Sequence, residues 1–488
     1  MQLKVKFLKL SAGRPVAVLH KKLAVKSSMH VDERVLIRKN SHKIVAVVDI
    51  AVGMLKEDEI AVSTEISQQL SLKEGEMVYV EPATSPQSIP LISKKLKCKT
   101  LNYQEIKKIM QDIVENALTE SEIAYFISAV YRCGMSMKEI EEMVRAIVDT
   151  GKKLNLKQKL IADKHSIGGI PGRTTPIVVS ICAAAGLTFP KTSSRAITSP
   201  SGTADALEVI CKVDFTIPEI KKIINKTNAC MVWGGSLGLA PADDKIIQVE
   251  RLMNLDPDAQ LLASIMSKKL AVGSKYILIE IPYGKHAKVN KKQALNLEKK
   301  FKLLAKRFNV KLECALIETK EPLSNGIGPA LEIKEVISVL KRESSGFMLE
   351  ERALVLAGKI LELTGKAKSK KGLQMAKKIL DSGEALNKFK QIILAQKGKL
   401  NGLREAKIKK QILSQKSGEV KEINIKSINT LARLLGCPAD KFAGIYLHKH
   451  LKEKVKKGEK ILTLYSESSS ELDGAIKFYN QSNPITIK

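Results

Sequence analysis

A glycine-rich turn at residues 163–175 carries the residue types that bind an anion. Its sequence, DKHSIGGIPGRTT, combines lysine, histidine and arginine with three glycines and three hydroxyl side chains. Glycines let a backbone approach an anion closely, and successive N–H groups can form an anion-binding concavity. The apolar run after Thr175 predicts a helix, whose N-terminus favours negative charge. The turn has neither a G-K-[ST] ending nor a G-x-G-x-x-G pattern, so phosphate binding and an ordinary tight turn are the two interpretations.

A second segment, at residues 191–203, concentrates hydroxyl groups. Seven serines and threonines share its thirteen positions, KTSSRAITSPSGT, with one lysine and one arginine. Such a set is costly to bury in an apolar core and suits phosphate and sugar oxygens. The alternative is a solvated Ser/Thr loop. Because the two segments flank one apolar run, we expect them to line a shared anion pocket.

Single side chains are ambiguous when they are taken from the sequence alone. Asp256, in NLDPD, is typical of a helix N-cap residue. His165 could orient phosphate, help a base leave or serve as a structural hydrogen-bonding residue. His448 and His450 form an H-x-H pair, but no third ligand is indicated, so we expect no metal site.

The two segments resemble the thymidine and pyrimidine-nucleoside phosphorylase family, which has a D-K-H-S-x-G-G turn and a later S-x-R…G-T segment. The match is closer to the long branch of that family, the AMP phosphorylases, where K-T-S-S-R-A-I-T-S-P-x-G-T-A-D is distinctive. VWGG at 232–235, PADD at 241–244 and SIMSKK at 264–269 agree as well. The resemblance covers most of the chain and includes an extra N-terminal domain.

This resemblance implies phosphorolysis, in which inorganic phosphate attacks C1′ of AMP to give free base and ribose 1,5-bisphosphate, with CMP and UMP as candidate additional substrates. Two phosphoryl groups must then be held at once, which requires cations and N–H donors. The departing base needs a proton from a positioned acid. No metal or organic cofactor is implied. The alternatives are a thymidine or pyrimidine nucleoside phosphorylase and, in another class, a basic RNA-binding protein.

The resemblance also assigns roles to individual positions. Asp256 matches the proton donor, which would need burial to raise its pKa, and His165 is the second catalytic candidate. Lys268 matches a substrate-binding lysine, although a solvated helix face is the other interpretation. The inorganic-phosphate ligands would be Lys164, Ser166, Thr175, Ser193 and Thr203. The AMP contacts would be Gly168, Ser194, Arg195, Ala196, Ile197, Thr198, Ser199, Thr203, Ser264, Lys268 and Lys288.

Two positions depart from the family pattern. Val249 stands where the pyrimidine enzymes have an arginine for a pyrimidine carbonyl, which argues against thymidine as substrate. Gly172 runs directly into Arg173, where the AMP phosphorylases usually have an asparagine before the arginine. The glycine-rich turn is therefore shorter in this chain.

Hydrophobic periodicity divides the chain into regions that would position these residues. The expected fold class is multidomain α/β and α, with a small β-rich N-terminal domain, a helical domain joined to an α/β phosphorylase domain, and a small α+β C-terminal domain. The segment PATSPQSIP at 82–90 predicts a linker. The expected regions are 1–85 (β-rich), 100–160 (helical, first part), 161–340 (α/β), 341–410 (helical) and 411–488 (α+β).

Composition excludes several classes of protein. The chain has 488 residues, of which 44% are hydrophobic and 27% charged, so it is neither a disordered tail nor a collagen-like repeat. No apolar run reaches about 18 residues, so we expect no membrane partner. We expect a cytoplasmic homo-oligomer built from dimers. The seven cysteines are odd in number and lack a C-x-x-C pair, so reduced, mostly buried thiols are expected.

The net charge of +31 could indicate a polynucleotide partner. Only 13 of the 82 basic residues are arginine, and aromatic residues make up 4% of the chain. Base reading and bidentate phosphate binding favour arginine, and single strands stack on aromatic side chains. A general lysine-rich bias is therefore favoured over a nucleic-acid site.

Overall fold

A computed structural model describes residues 1–197, 199–343, 347–400 and 403–488 of the chain. These residues form two compact units, one comprising Met1–Gly151 and Ala240–Ala263 and the other Lys152–Leu239 and Ser264–Lys488. Among the described residues, the helices are all too short or too polar to cross a membrane.

The first unit begins with a closed β-barrel whose strand order is β1-β5-β2-β4-β3-β6. Alternating apolar side chains such as Leu3 and Val5 point inward and are almost fully buried, as expected for strands with one face on a core. The strands are β1 Gln2–Phe7, β2 Val16–His20, β3 Arg34–Lys39, β4 His42–Ala51, β5 Glu59–Val62 and β6 Met77–Pro82, and the short helices are α1 Lys21–Lys26 and α2 Thr64–Gln69.

The rest of the first unit is helical. Asn102, Thr119 and Ser136 each begin a helix with a capping box, in agreement with the helical character expected after residue 100. The predicted linker is shorter than expected, because a helix already begins at Ser88. The helices are α3 Ser88–Leu96, α4 Tyr103–Val114, α5 Glu120–Cys133, α6 Met137–Asp149 and α10 Pro241–Met253.

A disulfide joins Cys98, just after α3, to Cys133 at the end of α5. The expectation of reduced thiols is therefore wrong for this pair. An odd total only prevents complete pairing, and the fold brings the Cα atoms of these two residues to 5.2 Å, within the range for a disulfide. The other five cysteines are reduced and buried, as expected.

The second unit contains the α/β fold that was expected. Its parallel sheet has the order β11-β10-β7, and β8 pairs in parallel with β9. The apolar run at 177–181 is helical and buried. The strands are β7 Ala162–Ser166, β8 Phe189–Ser193, β9 Ala229–Trp233, β10 Tyr276–Tyr283 and β11 Lys311–Glu318. The helices are α7 Thr174–Ala184, α8 Thr203–Glu208, α9 Ile217–Thr227, α11 Asp258–Ala271, α12 Lys291–Arg307, α13 Pro329–Leu340, α14 Phe347–Leu363, α15 Gly372–Asp381 and α16 Glu384–Ala395, with a 3₁₀ turn at Gly234–Ser236.

The C-terminal part of the second unit is α+β, which confirms the expected class. Its sheets have the orders β12-β15-β17-β13 and β16-β14-β18. The basic cluster at 449–460 contains a short strand. The elements are β12 Gly326–Ile327, β13 Ile408–Leu413, β14 Gly418–Ile423, α17 Ile425–Leu434, β15 Gly444–Leu447, β16 Lys454–Val455, β17 Lys460–Ser466, α18 Ser469–Ser482 and β18 Ile485–Ile487.

Candidate active site

Lys164 is the middle residue of β7 and is held by a buried polar network. Its Nζ donates to Thr174 Oγ1 (2.9 Å) and lies 2.7 Å from Glu280 Oε2. Glu280 in turn contacts Arg352 (Nη1–Oε1, 3.0 Å). Burial opposes ionisation of Glu280, but the charges of Lys164 and Arg352 keep its pKa below the usual value. Glu280 therefore stays ionised and fixes the position of the Lys164 ammonium.

A second cluster of cations surrounds Asp163. Lys269 Nζ lies 2.6 Å from Asp163 Oδ2, and Lys191 Nζ lies 3.5 Å from Asp163 Oδ1. Burial lowers the pKa of Lys191 to about 7, partly opposed by Asp163, and the charges of Lys269 and Lys164 lower it further. Two lysines thus share one carboxylate.

The two networks together carry more basic than acidic groups. Three lysines and one arginine face only two carboxylates, and the lysines are almost fully buried (Lys164 1%, Lys191 4% and Lys269 1% exposed). Buried like charges repel strongly in a low-dielectric environment. An anion with more than one negative charge would balance this site.

His165 lies among these cations. Burial lowers its pKa well below the usual value, and the charges of Lys269, Lys191, Lys268 and Lys164 lower it further. The imidazole is therefore neutral near pH 7. It can donate or accept a hydrogen bond, but it does not supply a positive charge to an anion.

The glycine-rich turn meets the hydroxyl segment through Arg173. Its Nη2 donates to Ser199 Oγ (3.4 Å), while its Nε lies 2.7 Å from Glu332 Oε2. The carboxylate of Glu332 also accepts from the backbone N–H of Gly172 (3.3 Å). Gly172 has a φ of +117°, and a Cβ there would lie 2.7 Å from Leu323 Cβ. The short turn is thus closed by a glycine that tolerates the conformation and by an arginine that reaches the second segment.

Asp205 closes the hydroxyl segment into a compact loop. Its Oδ2 accepts from the backbone N–H groups of Ala196 and Gly202, both at 2.7 Å. A Cβ at Gly202 would lie 2.5 Å from the carbonyl oxygen of Ser194, so only glycine fits this close approach. The loop conformation is therefore set by one carboxylate and one glycine.

Arg195 forms hydrogen bonds and a ring contact with other side chains of this unit. Its Nη1 and Nη2 donate to the two carboxylate oxygens of Glu208 at 2.8 and 2.9 Å, and the guanidinium lies 4.8 Å from the centre of the Trp233 ring. The hydrogen bonds from Arg195 lower the pKa of Glu208 to about 2. These contacts show a loop-holding role for Arg195, and the predicted AMP contact remains untested.

Two hydroxyl groups near the end of β8 lack an internal partner. Thr192 Oγ1 and Ser193 Oγ are buried and have no hydrogen-bond partner among the described residues. Buried hydroxyls are normally satisfied, so such groups indicate a site for a ligand or water. Ser193 was expected to bind phosphate from the resemblance, and this geometry is suited to that prediction.

Further predicted site residues lie on the same unit. Ser166 ends β7, the buried Thr175 is in the first turn of α7, and Thr203 begins α8. Ser264 and Lys268 are one helical turn apart on α11, whose next residue is Lys269.

Three predicted AMP contacts lie on the loops of this unit, and one cannot be located. Gly168 precedes Gly169, where a Cβ would lie 3.8 Å from Lys288 Cβ, so the turn borders Lys288. Ile197 is exposed. Thr198 lies outside the described residues.

Asp256 belongs to the first unit and is exposed. The carbonyl of Pro257 accepts the first hydrogen bond of α11, from the N–H of Leu261 (3.0 Å). The helix begins at Asp258, and the N-cap interpretation of Asp256 stays a prediction. The burial that the acid role would need is not present, and that role stays a prediction.

The histidine pair of the C-terminal part is engaged with polar neighbours. His448 Nε2 lies 2.8 Å from Thr463 Oγ1, and His450 lies between Glu321 (2.8 Å) and Asn325 (2.6 Å). The described part of the chain contains no cluster of three or more His, Cys, Asp or Glu side chains suited to a metal ion.

Sequence reasoning missed several members of the cation networks. Glu280 had a usable signal, because it is the one charged residue in the buried strand YILIEIPY. Three more members lie inside the motifs quoted above but were not predicted as site residues: Asp163, Lys191 and Lys269. Arg352 carried no local signal, since its role depends on a strand 72 residues away.

Comparisons with known proteins agree with this organisation. A model of the glycosyl transferase family a/b domain matches residues 158–386, and one of the helical bundle domain of that family matches 89–151. A model of the pyrimidine nucleoside phosphorylase C-terminal domain matches 419–486.

Similar proteins extend over the full chain. It is 40% identical to an AMP phosphorylase of Methanococcus maripaludis, with 100% of this chain and 97% of the relative covered. It is 41% identical to an AMP phosphorylase of Thermococcus kodakarensis, with 100% and 98% covered. The fold is similar to anthranilate phosphoribosyltransferase of Thermus thermophilus (TM-score 0.53, 17% identity, 63% of this chain and 99% of that one).

Proposed function

This chain belongs to the AMP phosphorylases, the long branch of the thymidine and pyrimidine-nucleoside phosphorylase family, and from that premise we propose that it catalyses the phosphorolysis of AMP. An oxygen of inorganic phosphate forms a bond to C1′ as the bond between C1′ and the base nitrogen breaks. The base leaves with that electron pair and takes up a proton. The products are adenine and ribose 1,5-bisphosphate.

The observation that carries this proposal is the buried excess of cations around strands β7 and β8. Lys164, Lys191 and Lys269, with Arg352 behind them, outnumber Asp163 and Glu280. Inorganic phosphate supplies the negative charge that this arrangement lacks, and the hydroxyls of Thr192 and Ser193 supply uncharged ligands beside it. Phosphate held here is ready to attack without the cost of ordering its ligands during the reaction.

The transition state places positive charge on the sugar and negative charge on the departing base. The bound phosphate stabilises the sugar, because it is the anion nearest to C1′. Neutral His165 can hydrogen-bond to phosphate or sugar without competing for the lysines. We assign proton donation to the base to Asp256, on the family resemblance alone.

The 5′-phosphate of AMP requires a second anion site. We assign it to the loop at 194–199 with Gly168 and Lys288, which the resemblance matches to AMP contacts. The bond from Arg173 to Ser199 and the approach of Gly169 to Lys288 support this assignment, because they bring the three segments to one side of the unit. CMP and UMP remain candidate additional substrates.

The RNA-binding alternative is disfavoured by the burial of the cations. Lys164, Lys191 and Lys269 are nearly inaccessible, and a polynucleotide backbone would have to reach them from the surface. The cytoplasmic location stays an expectation from the sequence. The homo-oligomer built from dimers is a further proposal, and analytical ultracentrifugation of the full chain measures it.

The test is base release from matched substrates. The purified chain is incubated with AMP, adenosine, CMP or thymidine, with and without inorganic phosphate, and free base is quantified by chromatography. We expect adenine from AMP only when phosphate is present, and none from adenosine. Release from thymidine but not from AMP would instead identify a thymidine phosphorylase.

A further inference from the structure

The C-terminal part of the second unit contacts the three segments proposed to bind AMP. Its sequence carries no recognisable catalytic motif. Its helix α17 and strand β14 nevertheless contact the glycine-rich turn, the hydroxyl loop and the loop that carries Lys288. The C-terminal part is therefore placed to hold all three segments in position.

Asn429 on α17 holds the glycine-rich turn. Its side chain is only 6% exposed, and its Nδ2 donates to the carbonyl oxygen of Gly169 (3.0 Å). Below this bond, Ile425 of the same helix packs with Ile170 and Leu323 in a small apolar cluster. The turn is thus held by a side-chain hydrogen bond and by buried apolar surface.

Arg433, one helical turn further along α17, holds the hydroxyl loop. Its Nη2 donates to the carbonyl oxygen of Ile197 (3.0 Å) and lies 3.5 Å from that of Ser199. Both acceptors belong to the backbone, so the contact fixes the path of the loop directly. Hydrogen bonds from a charged donor are about twice as strong as neutral ones.

The helix itself is firmly anchored on its opposite face. Ile428, Leu431 and Ala432 are fully buried in the core of the C-terminal part. Residues four apart lie on the same side of a helix, so Asn429 and Arg433 face the loops together. Beside them, Glu422 on β14 accepts from His286 (Nε2–Oε1, 2.6 Å) two residues before Lys288.

We propose that Asn429 and Arg433 are positioning residues that hold the backbones of Gly169, Ile197 and Ser199 in the geometry needed to bind AMP. This inference rests on the proposed function and adds residues that act through the loops rather than by touching substrate. In the proposed function inorganic phosphate is held by the lysine networks, whose ion pairs involve no residue of α17. Loss of either side chain should therefore weaken AMP binding and leave phosphate binding nearly unchanged.

The test compares Arg433→Ala, Arg433→Lys and Asn429→Asp with wild type, and uses Lys426→Ala, an exposed position of the same helix, as the matched control. For Arg433→Ala we expect KM for AMP to rise about tenfold, the change that about 1.4 kcal/mol of lost hydrogen bonding produces. KM for phosphate should stay within about twofold, because sites that share no interaction partners respond to substitution nearly independently. Arg433→Lys should recover part of the loss, and Lys426→Ala should match wild type.

Hydrogen–deuterium exchange of the peptide covering 194–203 supplies a readout that does not depend on turnover. It should exchange faster in Arg433→Ala and at the wild-type rate in Lys426→Ala. An unchanged KM for AMP, equal rises in both KM values, or unchanged exchange would overturn the inference. If wild type does not turn over AMP, the proposed function fails, whereas the exchange result still decides whether Arg433 holds the loop.

Discussion

Arg173 donates from Nη2 to Ser199 Oγ across 3.4 Å, and this bond joins the glycine-rich turn to the hydroxyl loop. The two residues are 26 positions apart, with α7 and β8 between them. The guanidinium is oriented by Glu332, which is fully buried. Two segments that were expected to share one anion pocket therefore do meet in the fold.

Replacement of Lys164 by methionine should strongly weaken productive phosphate binding. The change removes the cation nearest to Thr174 and Glu280, while Arg352 still pairs with the buried Glu280, so the fold should survive. We expect kcat/KM for phosphate to fall on the order of 100-fold, from the loss of a charge-assisted bond and of one buried charge. Steady-state kinetics at varied phosphate measure this. Lys292→Met, on the exposed side of α12, is the control, and equal losses in both variants would contradict the assignment.

Phosphate use should depend on pH through Lys191. Its pKa is lowered to about 7, first by burial and then by neighbouring lysines, so below that pH the phosphate-free enzyme carries an additional positive charge. As pH rises through about 7 this charge is lost, and kcat/KM for phosphate should decline. We would measure kcat/KM for phosphate in wild type and in Lys191→Met from pH 6 to pH 9, about one unit below to two units above that pKa. Dividing the wild-type value by the variant value at each pH cancels the effect of the ionisation of phosphate itself. A ratio that does not vary with pH would exclude this role for Lys191.

Asp256→Asn should reduce turnover far more than it weakens AMP binding. An amide keeps the shape of the side chain but cannot donate the proton that the leaving base requires, and general acids typically contribute about 100-fold or more. Rapid-quench kinetics give the chemical step, and calorimetry gives AMP affinity. Asp258→Asn, an exposed carboxylate two residues away, is the matched control. Turnover equal to wild type would remove Asp256 from the mechanism.

Reduction of the Cys98–Cys133 disulfide should destabilise the first unit. The bond closes a loop with a sequence separation of 35, for which the loss of chain entropy in the unfolded state corresponds to about 3–4 kcal/mol. The thermal unfolding midpoint should therefore fall by several degrees in dithiothreitol. The double variant Cys98→Ser, Cys133→Ser should melt at the lower temperature with or without reductant. A wild-type midpoint that does not respond to reductant would show that the bond adds no stability.

Local sequence signals were sufficient for elements whose determinants lie close together in the chain. The helices after Asn102, Thr119 and Ser136 are specified by capping boxes of four residues, and the anion-binding residue types stand in two short motifs. The pairing of Lys164 with Glu280, by contrast, spans 116 positions and depends on the parallel pairing of β7 with β10.

The contacts of the C-terminal part could not be predicted from the sequence, because they also join positions that are far apart in the chain. Asn429 meets Gly169 across 260 positions, and nothing in the sequence around Asn429 distinguishes it from other polar helix residues. The disulfide was missed because counting cysteines says nothing about which two Cα atoms the fold brings together.

The most direct measurement of the central claim, that one site holds two phosphoryl groups around a single ribose, is phosphorus NMR of the reaction with AMP. We predict that each adenine released consumes one inorganic phosphate and yields a sugar with two phosphoryl resonances, one at C1 and one at C5. Release of adenine with ribose 5-phosphate as the sugar and with inorganic phosphate unconsumed would contradict it.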